Sequence, residues 1–151
     1  MIVSGSTRVK DSDEPIPALQ RFDGNFARMI RKYCNQMRNI DILFLSPAYG
    51  LVKAEEKIGL KKHLGGSWRR LKLTDEEISD LREANLSTLR KLFTKRDYDE
   101  IYINVGKSLL ETIEGFDKTI PSNVRITYSQ GRGIGPKMTH MRKWIESQRR
   151  L

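Results

Sequence analysis

The run Asp41-Ile42-Leu43-Phe44-Leu45-Ser46-Pro47-Ala48-Tyr49-Gly50 decides the fold class. Its apolar core, Ile42 to Leu45, shows no alternation of polar and apolar residues. That pattern belongs to a parallel strand covered on both faces. The strand then opens into a loop of small residues around Tyr49. Three other segments repeat the pattern. Ile2-Val3 opens into Ser4-Gly5-Ser6-Thr7-Arg8, and Ile101-Tyr102-Ile103 opens into Asn104-Val105-Gly106-Lys107-Ser108. Residues 124–128 open into Ser129-Gln130-Gly131-Arg132-Gly133-Ile134-Gly135-Pro136-Lys137.

Helical sequence separates these runs. Phe22, Phe26, Ile30, Tyr33 and Met37 recur at helical spacing and predict a helix over about 18–38. Thr74-Asp75-Glu76-Glu77 is a capping box opening a long helix that ends near Arg96. A short helix over 107–114 stops at Gly115, and Pro136 suits the first turn of a last helix over about 136–150. Alternation of this kind implies an α/β fold: a mostly parallel sheet of about four strands between helical layers. The 151 residues fit a single domain. Residues 53–73 stand apart as a long basic loop or lid, with Lys61, Lys62, Arg69 and Arg70 around Trp68.

Charge narrows the partners. With 28 Lys and Arg against 19 Asp and Glu, the chain carries +9. This favours a polyanion, whether DNA, RNA or a phosphorylated small molecule. No basic amphipathic helix of the membrane-surface type and no long apolar run stands out, so we expect a cytoplasmic protein without a membrane partner. Cys34 is the sole cysteine, which rules out an intrachain disulfide. Its helical context reads as a half-buried apolar residue in preference to a reactive thiol.

In an open α/β sheet, ligands bind beyond the carboxyl ends of the strands. The candidate ligand or phosphate-binding residues are therefore Ser4, Ser6, Arg8, Ser46, Tyr49, Gly50, Asn104, Gly106, Lys107, Gln130, Gly131, Arg132, Gly133 and Lys137. Lys61, Lys62, Trp68, Arg69 and Arg70 are the candidates for direct nucleic-acid contact. Gly106-Lys107-Ser108 is not a P-loop, since the first glycine of that motif would fall on Ile101. Gly131-Arg132-Gly133 is not a dinucleotide fingerprint, since its third glycine would be Pro136. Both remain turns rich in backbone N–H donors. Tyr49 either stacks on a base or caps the core. We expect no metal, since Cys34, His63 and His140 do not form a ligand set, and no cofactor. Asp11, Asp13, Glu14, Glu55 and Glu56 could act as a general base but fit solvated loop charges as well.

The segment from Asp41 to Val52 resembles the "ILSAKYGLL" or "LSGLYGLL" stretch of the YaaA-like proteins. Pro17-Ala18 followed by Arg21-Phe22-Asp23-Gly24 is similar to that group's "PA…RYNG" stretch. Ile2 to Ser6 and Gly131 to Gly135 resemble its first strand end and its "GLGIG" stretch. The group's "PYRLEM" segment is replaced here by residues 58–63. Ser46-Pro47 with Gly65 and Trp68 also resembles an "LSP…G.W" pattern of archaeal tRNA-guanine transglycosylase relatives. The resemblance implies an α/β fold, at a distance like that of uracil-DNA glycosylase, and a link to DNA binding and stress response. The glycosylase "GQDPY" motif is absent, so glycosylase activity is not implied.

These readings lead to a nucleic-acid-binding α/β domain, serving base modification, repair or stress response. The alternative is a small enzyme acting on a free nucleotide or phosphorylated metabolite at the strand ends. A third reading is an interaction subunit with a vestigial pocket.

Overall fold

The four runs form neighbouring strands of one sheet; β1, β3 and β6 are apolar and mostly buried, while the run at 124–128 carries Arg125 and Thr127 and lies at the sheet edge. A computed structural model describes residues 1–6, 8–34, 37–60 and 73–149. In chain order the strands and helices are β1 (Ile2–Ser4), β2 (Ile16–Pro17), α1 (Ala18–Arg21), α2 (Asn25–Tyr33), β3 (Leu43–Ser46), β4 (Gly50–Lys53) and β5 (Lys57–Ile58). Then follow α3 (Asp75–Lys95), β6 (Glu100–Asn104), α4 (Lys107–Leu110), β7 (Arg125–Tyr128) and α5 (Ile134–Gln148). Two 3-10 turns, Glu111–Ile113 and Phe116–Lys118, lie between α4 and β7.

The main sheet has five strands in the order β4-β3-β1-β6-β7. β1 runs parallel to β3 and β6, with Ile2 opposite Leu43 and Ile103, and β7 runs parallel to β6. Successive residues of each strand point to opposite faces. Val3, Phe44, Val52 and Tyr102 pack with Ala27, Ile30, Met141 and Ile145 of α2 and α5. Ile2, Leu45, Leu51 and Ile103 pack with Leu89 of α3 and with Ile113 and Phe116 of the 3-10 turns. Tyr102 docks α5: its ring stacks on Trp144 at 4.6 Å, and its hydroxyl meets His140 Nδ1 at 2.7 Å. The capping box is as expected, with Thr74 N–H donating to Glu77 Oε1 at 3.0 Å and Glu77 N–H to Thr74 Oγ1 at 3.2 Å.

Three local expectations need correction. The helix over 18–38 is two helices. Phe22 takes an extended ψ of 125° and bridges Val9, and Gly24, also extended, starts α2 afresh. Phe22 still fills the core, so its place in the apolar stripe hid the break. The second correction is a fifth strand. Pro47, Ala48 and Tyr49 form a three-residue hairpin loop closed by Gly50 at φ +65°, the left-handed position such hairpins need. Finally, the basic loop does not begin at 53: Lys53 ends β4, and β5 pairs antiparallel with β2. The rest of that loop, from Lys61 to Leu71 and Lys72, lies outside the described residues.

Asn85 on α3 holds the β4 edge. It is 1 % exposed, accepts from Leu51 N–H at 2.9 Å and donates to the Thr112 carbonyl at 3.1 Å. Removing it leaves a buried donor and a buried acceptor unpaired, at about 1–3 kcal/mol each. Asn85→Ala should therefore lower stability by about 2–4 kcal/mol, read as a drop in urea midpoint at unchanged slope. Cys34 is buried, and burial pushes its thiol up to about 11. At pH 8 the native thiol should react with a disulfide reagent at least about 100-fold more slowly than the unfolded chain. Equal rates would show an accessible thiol.

Candidate functional site

Sheet topology alone selects a place for a ligand. From β1 the chain leaves through α1 and α2 toward β3; from β6 it leaves through α4 toward β7 on the other side. The two connections depart in opposite directions and on opposite faces, as right-handed crossovers demand. Such a switch point opens a crevice outside the carboxyl ends of the two strands. Here Ser4 Oγ accepts from Gly106 N–H at 3.3 Å, tying the two loops together. Gly5 N–H continues the sheet bond to Leu45 O at 2.8 Å.

A cleft of about 360 Å³ lies beside this junction, on the α2 and α5 side. Ser4, Gly5 and Ser6 form one wall; Asp23, Gly24 and Asn25 form the facing one. Arg8, Phe26, Arg28 and Ile134 complete it. Two helices start here. Gly24 begins α2 and Gly133 begins α5, and neither has a side-chain cap. The first N–H groups of any helix lack intrahelical acceptors, and the helix dipole adds positive potential. Ser6 Oγ accepts from Gly24 N–H at 3.0 Å and donates to Arg8 O at 2.6 Å, so the β1 loop and the α2 start are fixed to each other. A Cβ on Gly24 would come within 2.4 Å of Ser6 Cβ, so only glycine permits that approach.

Among the described residues, the cleft's one carboxylate, Asp23, meets three guanidiniums. Asp23 meets Arg8 at 3.8 Å, Arg28 at 3.4 Å and Arg31 at 3.0 Å. The hydrogen bond from Arg28, with Arg31's added, outweighs desolvation and holds the Asp23 carboxyl below its ordinary 3.8. Asp23 is thus ionised and engaged at neutral pH, and a proton-abstracting role suits it poorly. The excess positive charge and the backbone donors suit an oxyanion such as phosphate.

The anticipated residues fall into separate groups. Ser4, Ser6 and Arg8 line the cleft. Asn104 is buried; it accepts from Ser129 Oγ at 2.9 Å and contacts Met141 sulfur at 3.4 Å. Ser46 is buried and accepts from Tyr49 N–H at 3.1 Å. Tyr49 sets its ring edge-on to Phe22 at 5.9 Å and donates to the Gly59 carbonyl. Gly50 faces Asn85. The Tyr49 and Gln130 loops share one end of the sheet, but β3 and β7 stand three strand spacings apart, about 14 Å. Gly106 and Lys107 are exposed, and Lys107 borders a different cavity with Tyr128. Gln130 and Arg132 are exposed, Gly131 and Gly133 take φ of +122° and +82°, and half-buried Lys137 donates its N–H to Gly133 O. Lys61, Lys62, Trp68, Arg69 and Arg70 lie outside the described residues.

Asp23, Asn25 and Arg28 were not anticipated. Reading 18–38 as one helix hid them; the Asp23-Gly24 pair was the available sign of a helix start. Among the described residues, no three His, Cys, Asp or Glu gather as metal ligands, and no helix is long and apolar enough to cross a membrane. Comparison of the chain with protein-family models, curated proteins and solved structures finds no match.

Because folding depresses the Asp23 pKa, its contribution to stability is present above 3.8 and fades as pH falls through the lower folded value. Asp23→Asn should melt below the wild type at pH 7, and the gap should close as pH falls below about 4. A gap independent of pH would mean the ion pairs contribute nothing.

Proposed function

We propose that this chain is a cytoplasmic nucleic-acid-binding α/β domain that takes phosphates at the switch-point cleft. The observation that carries the reading is the convergence of Arg8, Arg28 and two uncapped helix starts on one cleft. A single carboxylate, Asp23, faces these charges, and it is already shared among three guanidiniums. The excess of +9 over the whole chain supports a polyanionic partner over a small neutral one. So does the basic composition of residues 53–73. The resemblance to YaaA-like proteins points the same way, toward DNA and a role in repair, base modification or stress response.

A second reading takes the same cleft as the pocket of a small enzyme for a free nucleotide or phosphorylated metabolite. Its volume, about 360 Å³, favours that reading, since small-molecule pockets start near 300 Å³. The two readings differ in what saturates the site. An anisotropy titration with labelled single-stranded DNA, RNA and duplex at several salt concentrations separates them. If Arg8 and Arg28 at the cleft, with Arg132 before α5 and Lys137 in its first turn, each neutralise one phosphate of a single strand, log affinity should fall with log salt at a slope of about −2.8. Changing Arg8 and Arg132 to alanine together should flatten the slope by about 1.4. Saturation by a mononucleotide, with no binding of either polymer at low salt, would transfer the function to the enzyme reading.

A further inference from the structure

The cleft does not end at Arg28. Asn25 and Arg28 also border a second, open groove of about 500 Å³ that runs between α2 and α5. We propose that this groove carries the continuation of a single strand of nucleic acid whose phosphate enters at the switch-point cleft. The inference rests on the binding role proposed above and adds the path and the strandedness.

The groove has an apolar floor and cationic walls. Met29, nearly buried, and half-buried Met138 lie along the floor with the ring of Tyr33. Arg28 and Lys32 stand one turn apart on α2; Arg142 stands on α5 across from them. Lys32 Nζ lies 5.3 Å from the Tyr33 ring centre and the Arg142 guanidinium 5.9 Å from it. Arg149, beyond the groove lining, donates to the Tyr33 carbonyl. Among the described residues, two carboxylates touch this set. Asp23 is held by Arg8, Arg28 and Arg31, and Glu146 meets Arg142 at a loose 3.8 Å with both side chains about half exposed. An exposed pair of that kind is weak and exchanges readily for another anion.

A single strand matches both features. Its phosphates need the cations on the walls, and its unpaired bases need an apolar or polarisable surface. Methionine floors adapt to flat groups of different shape. A duplex keeps its base faces stacked inside and offers phosphates, sugars and base edges, so a floor suited to flat apolar faces would go unused. An acidic amphipathic peptide could also match a basic groove with an apolar floor. The strand is favoured because the groove is continuous with a cleft of backbone N–H donors and helix starts, which suit a phosphate.

The test uses the full chain, with a thymidine oligonucleotide and a uridine oligonucleotide of about 12 nucleotides, a duplex of the same length, and an acidic amphipathic peptide as probes. Lys32→Gln with Arg142→Gln alters the groove; Arg8→Ala with Arg132→Ala alters the cleft wall and the loop that leads into α5. A circular-dichroism melt of each variant checks that it folds. The expected result is tighter binding of a single strand than of duplex, with the salt slope flattened by about 1.4 in the groove variant. Photo-cross-links from 4-thio-substituted oligonucleotides should then map to α2 and α5. Should the cleft variant lose affinity while the groove variant keeps both affinity and slope, the path is wrong and the binding role stands. Duplex binding tighter than either single strand overturns the strandedness. Binding of the peptide alone overturns the nucleic-acid occupant, and failure of every oligonucleotide removes this inference together with the role beneath it.

Discussion

The guanidinium of Arg21 is the constraint on which the first crossover of this fold depends. Arg21 is 0 % exposed and sits among carbonyls. It donates to Lys10 O at 2.6 Å, Ser12 O at 2.9 Å, Glu14 O at 2.7 Å and Ile58 O at 3.4 Å. A charge removed from water must be compensated or the fold does not form. Here backbone dipoles compensate it, and the loop that supplies them carries Asp11, Asp13 and Glu14. The loop has almost no apolar residue with which to fold by itself, so Arg21 shapes it from inside. Lys10 N–H returns a bond to Arg21 O, and Ala18 and Leu19 N–H groups bond to Glu56 and Ala54 O. The Arg21 side chain and these backbone bonds together join the acidic loop, α1 and the β4–β5 segment. The same arrangement positions Arg8 and Asp23 at the cleft.

On the opposite face of the sheet, Asn85 has the corresponding task with neutral groups. β4 is an edge strand, and its Leu51 N–H would otherwise be a buried donor without a ladder partner. Asn85 supplies the acceptor and anchors its own amide on Thr112. Gly50 is required beside it: a Cβ there would meet Asn85 Oδ1 at 2.8 Å. Arg21 and Asn85 thus fix different parts of the molecule by different chemistry: Arg21 the acidic loop to α1 and β5, Asn85 α3 to the edge of the main sheet.

The parallel sheet was legible because strands buried on both faces must be apolar without interruption, and the segments of β1, β3 and β6 are. β7, at the sheet edge, alternates Arg125 and Thr127 with apolar residues and was legible only from its place before a glycine loop and a helix. β4 was not, since Gly50-Leu51-Val52 follows a loop of small residues and is short. The hairpin shows only in Gly50, whose left-handed position is invisible until the pairing is known. Phe22 misled for a different reason: a residue four before Phe26 satisfies a helical stripe whether or not the backbone between them is helical. At the site, Ser4 and Gly106 were found because they follow strand ends, and they do meet. Arg28, Lys32 and Arg142 were missed because the periodicity of α2 and α5 was read for what they bury, and these side chains lie beside the buried stripe. Tyr49 and Ser46 drew notice as an unusual loop, and much of that character belongs to the hairpin and to the contact with Phe22.

The central position of β1 has a consequence for how the molecule is made. Ile2 pairs with Leu43 on one side and with Ile103 on the other. During synthesis β1 can therefore recruit β3 early, but its other edge stays open until the chain has been made through β6. Such a topology has high contact order, which slows folding, since the loop between the partners must be closed before the pairing stabilises anything. Until then an apolar strand edge is exposed to other nascent chains, and that edge is the place where a slow ribosome or a crowded cell would first produce aggregation.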